Sequence, residues 1–81
     1  MSYHYVYILE SLKDPSRHYT GSTQNVRRRL DAHNNGLVSS SAPYGPWKLG
    51  TVHIFRDKYR ALAFERYLKS GSGREFARRH F

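Results

Sequence analysis

Two tyrosines are the first residues along the chain that can take part in chemistry, because a phenol can donate, accept or lose a proton. Tyr7 lies in the run Tyr3–Leu9, which has the composition of a strand. Tyr19 lies in a second short strand, Arg17–Gly21. If these strands pair as a hairpin, the phenols lie close together, and cationic neighbours would favour a phenolate that acts as a general base. The alternative is that both tyrosines pack into the sheet with their hydroxyls at its rim.

A basic segment follows the second tyrosine. Arg27, Arg28 and Arg29 are consecutive, and His33 lies four residues after Arg29, on the same face of a helix. A guanidinium presents a planar fork of donors that matches a phosphate, and a histidine can hold or relay a proton near neutral pH. The spacing therefore indicates a site that binds a phosphodiester. The alternative is a solvated helix face, with His33 interacting with the helix dipole.

Glu65 is the third candidate, since its helical neighbours Ala61, Leu62 and Leu68 are apolar. A carboxylate on an apolar face needs a partner. A divalent metal ion is one candidate, because Mg²⁺ can bind through a single carboxylate together with substrate oxygens and waters. The other is an ion pair with Lys69, four residues further on.

Three predicted strands would position the tyrosines. Tyr3–Leu9 is mostly apolar at both odd and even positions, which is typical of a central strand covered on both faces. Arg17–Gly21 would run antiparallel to it. Trp47–Phe55 is a third strand, preceded by a loop rich in serine, proline and glycine at 39–46.

Two helices would carry the remaining candidates. The first is predicted from Gln24 to Asn34, capped by Ser22 or Thr23. The second is predicted over Lys58–Ser70 and capped by Asp57. Its expected buried side comprises Ala61, Leu62, Phe64, Tyr67 and Leu68. The run Gly71-Ser72-Gly73 is expected to end it, and Arg74–His80 to form a short basic helix or tail anchored by Phe76.

Composition limits the classes of protein that fit. The chain has 81 residues, which predicts one domain over 1–81. An aromatic fraction of 15% predicts a folded chain. Lys and Arg number 14 against 6 Asp and Glu, a net charge of +8 that indicates a polyanionic partner, with nucleic acid preferred to an acidic membrane.

The chain has no cysteine, which excludes a disulfide framework and a thiolate zinc site. The start of the sequence lacks the pattern of a signal peptide, and no apolar run reaches the roughly 20 residues that cross a bilayer. We therefore expect a cytoplasmic protein without a membrane partner.

In this order and spacing, the residues resemble the GIY-YIG nuclease family. The two signature strands of the family match Tyr5-Val6-Tyr7 and Tyr19-Thr20-Gly21. Arg29 falls on the catalytic arginine of the family, and His33 lies one turn later, where many members carry a histidine. The resemblance covers almost the whole chain.

The C-terminal half extends the resemblance. Ala61–Glu65 resembles the helix segment that holds the metal-binding glutamate of the family. Lys69–Arg74 resembles the small stand-alone bacterial branch, which is similar to the N-terminal nuclease domain of a bacterial excision-repair endonuclease. Two features depart from the pattern: Tyr5 stands in place of the first glycine, and no asparagine follows Asn35, although many family nucleases end the site with one. Ser70 or His80 could take that place, or the position is not used in this chain.

The resemblance implies an α/β (α+β) fold in which a small, three-stranded, mostly antiparallel sheet is flanked by helices. It also implies metal-dependent hydrolysis of DNA. Tyr7 or Tyr19 would serve as or assist the general base, and Arg29 would hold the scissile phosphate. His33 would polarise the base or shuttle its proton. Glu65 would bind one Mg²⁺ or Mn²⁺ ion, which stabilises the leaving oxygen.

The resulting prediction is an endonuclease that selects DNA by structure, in repair or recombination, with DNA as its partner and a further protein as a source of specificity. The alternatives are a non-catalytic nucleic-acid-binding module of the same fold and an accessory protein-binding subunit. The basic residues predicted to contact phosphates are Arg27, Arg28, Lys48, Arg56, Lys58, Arg66, Lys69, Arg74, Arg78 and Arg79.

Overall fold

The computed structural model describes residues 2–81. Its strands are β1 (His4–Ser11), β2 (His18–Thr23) and β3 (Trp47–Phe55), and its α-helices are α1 (Val26–Asn34), α2 (Lys58–Lys69) and α3 (Gly71–His80). A short 3₁₀ turn at Ala42–Tyr44 precedes β3. The predicted fold class is confirmed: a three-stranded antiparallel sheet is flanked by three helices within the described residues.

The strand order is β2-β1-β3, so the predicted central position of β1 is confirmed. Both neighbours run antiparallel to β1, with Tyr7 opposite Gly21 on one side and opposite Val52 on the other. Leu9 lies opposite Tyr19, so the two candidate tyrosines lie on the same face of the sheet, two positions apart along the strands.

The two faces of the sheet hold two separate cores. On one face Val6 and Ile8 pack with Ala61 and Leu68 of α2, joined by Phe76 of α3. On the other face Tyr7, Leu9 and Trp47 form a buried cluster, and Leu30 of α1 packs against it. Because successive residues of β1 point to opposite faces, Tyr7 belongs to the layer between the sheet and α1.

The caps differ in part from the prediction. Asp57 caps α2, as predicted, but α1 is capped by Asn25, whose Oδ1 accepts a hydrogen bond from the Arg28 amide at 3.0 Å. The prediction of Ser22 or Thr23 was wrong because β2 continues through Thr23. Ser22 is therefore a strand residue, and its hydroxyl is free for another partner.

The C-terminal segment is a full helix rather than a tail. The prediction that Gly71-Ser72-Gly73 only ends a helix was wrong, because these residues form the first turn of α3. Gly73 is required by close packing, since a Cβ there would collide with the carbonyl of Tyr67. Leu62 and Tyr67, predicted as buried, stay 37% and 42% exposed. None of the helices described over residues 2–81 is long and apolar enough to cross a membrane.

Candidate active site

Tyr7 lies at the centre of the candidate site and is only 1% exposed. Its hydroxyl points across the opposing strand at Gly21, where a Cβ would lie 2.5 Å from the phenol oxygen. Only glycine leaves room for the hydroxyl at that position. The residue that ends the second signature strand therefore has a steric role.

His33 holds the hydroxyl of Tyr7. The two are joined by a hydrogen bond of 2.9 Å between the phenol oxygen and Nε2, and His33 Nδ1 lies 2.6 Å from Ser41 Oγ. Ser41 donates its own proton to the carbonyl of Val38 at 3.3 Å. Ser41 therefore accepts from Nδ1–H, which leaves Nε2 unprotonated to accept the proton of Tyr7.

Arg29 approaches the same phenol oxygen from α1. Its Nε donates to the Tyr7 hydroxyl over a long 3.4 Å. This hydrogen bond, with the smaller influence of the nearby Tyr19, raises the pKa of Arg29 despite partial burial. The predicted pairing of Arg29 and His33 on one helix face thus brings a permanent cation and a proton acceptor to the hydroxyl of one phenol.

Burial sets the protonation states of these groups. Burial raises the pKa of Tyr7, although the hydrogen bond and positive charge of Arg29 oppose that rise. Burial and the charge of Arg29 lower the pKa of His33. At neutral pH the resting pair is therefore a neutral phenol donating to a neutral imidazole.

Tyr19 is the second candidate tyrosine and lies beside the same histidine. Its ring is 4.6 Å from the His33 ring in an edge-to-face arrangement, and it also contacts Trp47. Tyr19 is half-buried, and the Tyr7–His33 hydrogen bond does not pass through it. The two tyrosines therefore differ: Tyr7 is bonded into a proton path, whereas Tyr19 packs against that path.

Glu65 reaches the site from α2, on the opposite face of the sheet. Ser22 donates to Oε1 at 2.8 Å, and Lys69 donates to Oε2 at 2.8 Å. Burial alone would raise the pKa of Glu65, but these two hydrogen bonds and the charge of Lys69 outweigh it and hold that pKa below its usual value. The carboxylate is close enough to Tyr7 for its charge to raise the phenol pKa.

The donor set fits a single hard cation. Glu65 is a charged carboxylate with 18% of its side chain exposed, and Mg²⁺ binds through one or two carboxylates while keeping waters and substrate oxygens. Residues 2–81 contain no cluster of three or more His, Asp or Glu side chains that could form an all-protein metal cage. The ion pair with Lys69, considered as the alternative role of Glu65, is also present. A cation at Glu65 must therefore compete with the ammonium group.

The predicted phosphate-binding residues fall into three groups. Lys69, Arg74 and Arg78 line a large cleft beside α3, and Lys58 lines a smaller cleft beside Ser22. Lys48 pairs with Glu10, and Arg79 pairs with Glu75. Exposed side chains outside both clefts complete the set: Arg27, Arg28, Arg56 and Arg66.

Ser70 and His80 do not take the place of the missing asparagine. The Ser70 hydroxyl caps α3 by accepting from the amide of Gly73, and the His80 ring packs on Phe76 at 4.7 Å. Neither contact involves the tyrosines, Arg29 or Glu65. The described site is therefore built from five side chains and their supporting hydroxyls.

Two supporting serines were missed by the sequence reasoning. Ser41 is fully buried and fixes the tautomer of His33, although it lies in a run of serines predicted as a loop. Ser22 orients Glu65, although it was predicted as a helix cap. Nothing in the local sequence distinguishes Ser41 from the other serines of the loop. Ser22 could have been identified as a site residue if β2 had been predicted two residues longer, because it would then be a polar residue within a strand.

Acidification is expected to destabilise the fold through two histidines. Burial lowers the pKa of His33 and of His53, whose ring packs between Phe64 and Phe81 and whose Nε2 has no hydrogen-bond partner among residues 2–81. Below about pH 6.5 these histidines bind protons in the unfolded chain but not in the folded one. The free energy of unfolding therefore falls as the pH drops.

Each histidine contributes a slope of at most about 1.4 kcal/mol per pH unit. Urea unfolding at about pH 7.5 and about pH 5.5 measures the loss. His53→Leu should flatten the slope without touching the Tyr7–His33 pair. Equal stability of the parent protein at both pH values would contradict the assignment.

A comparison with known proteins matches this architecture. The family model described as the GIY-YIG catalytic domain matches residues 3–79. The solution NMR structure of the UPF0213 protein BH0048 from Bacillus halodurans superimposes with a TM-score of 0.57 at 34% identity, covering 94% of this chain and 80% of that one. The same fold thus carries a related sequence over nearly the whole chain.

Relatives in sequence come from two groups. A UPF0213 protein of Clostridium perfringens is 44% identical over 66 residues, covering 80% of this chain and 69% of its own length. The structure-specific endonuclease subunit SLX1 of Candida dubliniensis is 39% identical over 75 residues, which covers 84% of this chain but only 26% of SLX1. Since the family model spans almost all of the described residues, the chain belongs to the GIY-YIG nuclease family.

Proposed function

We propose that this protein is a metal-dependent endonuclease that hydrolyses DNA phosphodiester bonds. One observation carries the proposal: the Tyr7 hydroxyl is hydrogen-bonded to His33 Nε2 at 2.9 Å and to Arg29 Nε at 3.4 Å, with the charge of Glu65 nearby. A proton acceptor and a cation that could bind phosphate therefore meet at one phenol, and a carboxylate that could bind a metal ion lies near enough for its charge to act on that phenol. Packing alone would not require that combination.

Tyr7 is proposed to act as the general base through His33. As water attacks phosphorus, the phenol oxygen takes a proton from the water while the phenol proton moves to Nε2. Ser41 accepts from Nδ1–H throughout, so the imidazolium that forms keeps its orientation. This relay avoids a free phenolate, which the burial of Tyr7 disfavours.

Arg29 is proposed to move from the phenol to the phosphate. Tyr7 is only 1% exposed, and the 3.4 Å bond from Arg29 is weak for a charged donor. An anionic phosphate offers the guanidinium a stronger, two-pronged partner. Turning Arg29 to the phosphate uncovers the phenol oxygen, so the base becomes accessible only when substrate is bound.

Glu65 is the residue proposed to hold a single Mg²⁺ or Mn²⁺ ion. When bound, such an ion supplies positive charge to the leaving oxygen. Ser22 would keep Oε1 fixed, and an ion at Oε2 would displace Lys69 from the carboxylate. The displaced ammonium group would then be free to bind a phosphate in the larger cleft, which Lys69 lines.

The substrate is proposed to be DNA with a particular structure rather than a particular sequence. The SLX1 relatives are named as subunits of structure-specific endonucleases, and this chain spans about a quarter of the Candida dubliniensis protein. The net charge of +8 supports binding through phosphates, which gives affinity without reading bases. A partner protein that adds specificity, and a role in repair or recombination, belong to the same proposal.

A cleavage assay tests the proposal. Single-stranded, duplex, nicked, flapped and branched DNA are incubated with the protein in Mg²⁺, Mn²⁺ or chelator at low salt. We expect cleavage only with metal, and we expect Arg29→Gln to lower the rate by about 10²–10³-fold through loss of phosphate stabilisation.

Arg60→Gln is the matched control, because it removes the same charge from an exposed arginine on α2 that is not among the predicted phosphate contacts. Its cleavage rate should stay within a few-fold of the parent. Tight, salt-sensitive binding without cleavage of any of these DNA forms would contradict the nuclease proposal and favour a non-catalytic nucleic-acid-binding module. Absence of binding at low salt would favour the protein-binding subunit.

A further inference from the structure

The carboxylate of Glu65 lies between two clefts. Ser22, which binds Oε1, lines a cleft of about 310 Å³ together with Lys58. Lys69, which binds Oε2, lines a cleft of about 680 Å³. A chain of nucleotides that passes from one cleft to the other would therefore cross the proposed metal-binding carboxylate.

The larger cleft combines cations with an apolar floor. Arg17, Lys69, Arg74 and Arg78 line it, and Ala77 and Phe81 supply apolar surface. Phe81 is 48% exposed, so part of its ring is available for contact. Phosphates would meet the cations, and bases would meet the apolar groups.

The positive charge in this cleft is only partly neutralised. Within residues 2–81, neither Arg17 nor Arg74 has a carboxylate within ion-pair distance. Arg17 is instead held over the ring of Tyr44, 3.9 Å from its centroid. Glu10, the acidic residue on the rim, is already paired with Lys48 at 3.2 Å. The cleft therefore offers two cations that lack an acidic partner.

We propose that the larger cleft binds an unpaired DNA strand next to the bond that is cut. A duplex keeps its bases stacked inside and would use the cations but not the apolar floor, whereas an unpaired strand uses both. A volume of about 680 Å³ lies within the range of pockets that enclose small ligands. The inference rests on the proposed nuclease function, because it names the substrate of the same site.

Binding measurements in chelator test the cleft independently of cleavage. Fluorescence anisotropy compares a labelled oligothymidylate with a blunt duplex of the same length, using the parent, Arg17→Ala, Arg74→Ala and Phe81→Ala. We expect each arginine variant to weaken oligothymidylate binding about tenfold, the scale of a lost charge-assisted hydrogen bond. Each should also reduce the salt slope on the single strand by about 0.7. Phe81→Ala should weaken oligothymidylate binding without changing that slope.

Arg60→Ala is the matched control, since Arg60 is an exposed helical arginine that lines neither cleft. It should weaken binding of both DNAs slightly and equally. Urea unfolding will show whether Arg17→Ala stays folded. If it does not, Arg74→Ala tests the cleft instead, because Arg74 is exposed on α3. Equal losses on duplex and single strand for Phe81→Ala, or arginine losses no larger than for Arg60→Ala, would contradict the proposal that this cleft binds an unpaired strand. Metal-dependent cleavage by the parent with either of those results would leave the nuclease proposal standing.

Discussion

Replacing Tyr7 by phenylalanine will lower kcat for DNA cleavage by about 10²–10⁴-fold, the range expected when a general base is removed. The ring of phenylalanine fills the same buried space, so the free energy of unfolding should fall only by the cost of leaving His33 Nε2 without its partner, about 1–3 kcal/mol. What disappears is the oxygen that bonds His33 at 2.9 Å and Arg29 at 3.4 Å. Single-turnover cleavage of saturating substrate separates this loss of chemistry from any loss of binding.

Tyr19→Phe is the matched control, because it removes the other phenol oxygen from the same face of the sheet. Its ring still packs against His33 and Trp47. We expect a loss of at most about tenfold, the scale of one hydrogen bond. A larger loss for Tyr19→Phe than for Tyr7→Phe would transfer the role of base to Tyr19.

Local patterns were sufficient for the elements that carry the site. The apolar residues at both odd and even positions of β1 predicted a central strand, because only a strand covered on two faces can bury both sets. The four-residue spacing of Arg29 and His33 predicted a shared helix face, and both side chains contact Tyr7. Periodicity decides these features, and it is present in the sequence.

Contacts between distant segments could not be predicted from local sequence patterns. Ser41 and His33 are eight residues apart, and their hydrogen bond depends on how the loop after α1 folds back under β3. Ser22 and Glu65 are separated by 43 residues and meet only because α2 packs against the sheet. Gly73 shows the same limit: it resembles a helix stop locally, but the carbonyl of Tyr67 requires a residue without a Cβ there. Tertiary packing decides these features.

Glu65 illustrates a case in which two interpretations of one residue are compatible. The spacing predicted either a metal ligand or an ion pair with Lys69, and the structure contains the ion pair at 2.8 Å. An ammonium group next to a carboxylate occupies a place where a divalent cation would bind. The pair is therefore consistent with a metal-binding role, and it predicts that Lys69 lowers the affinity of that site for metal.

Glu65→Gln will abolish metal binding at this site and lower metal-dependent cleavage by at least about 10³-fold, since the ion is proposed to stabilise the leaving oxygen. Glutamine keeps the size of the side chain and can still bond Ser22, but it lacks the charge that attracts Mg²⁺. Titration with Mn²⁺, followed by the loss of its electron paramagnetic resonance signal on binding, measures the affinity without any cleavage. Unchanged Mn²⁺ binding by Glu65→Gln would show that Glu65 does not bind the metal ion.

Lys69→Met is the informative counterpart, because it removes the competing ammonium and keeps the apolar stem. We expect tighter Mn²⁺ binding than in the parent, by about thirtyfold if the exposed pair is worth roughly 1 kcal/mol and the repulsion between cations adds a similar amount. Cleavage should nevertheless fall, because Lys69 also lines the larger cleft where the strand is proposed to bind. Tighter metal binding combined with slower cleavage would separate the two roles of Lys69. Weaker metal binding would show instead that Lys69 orients the carboxylate rather than competing for it.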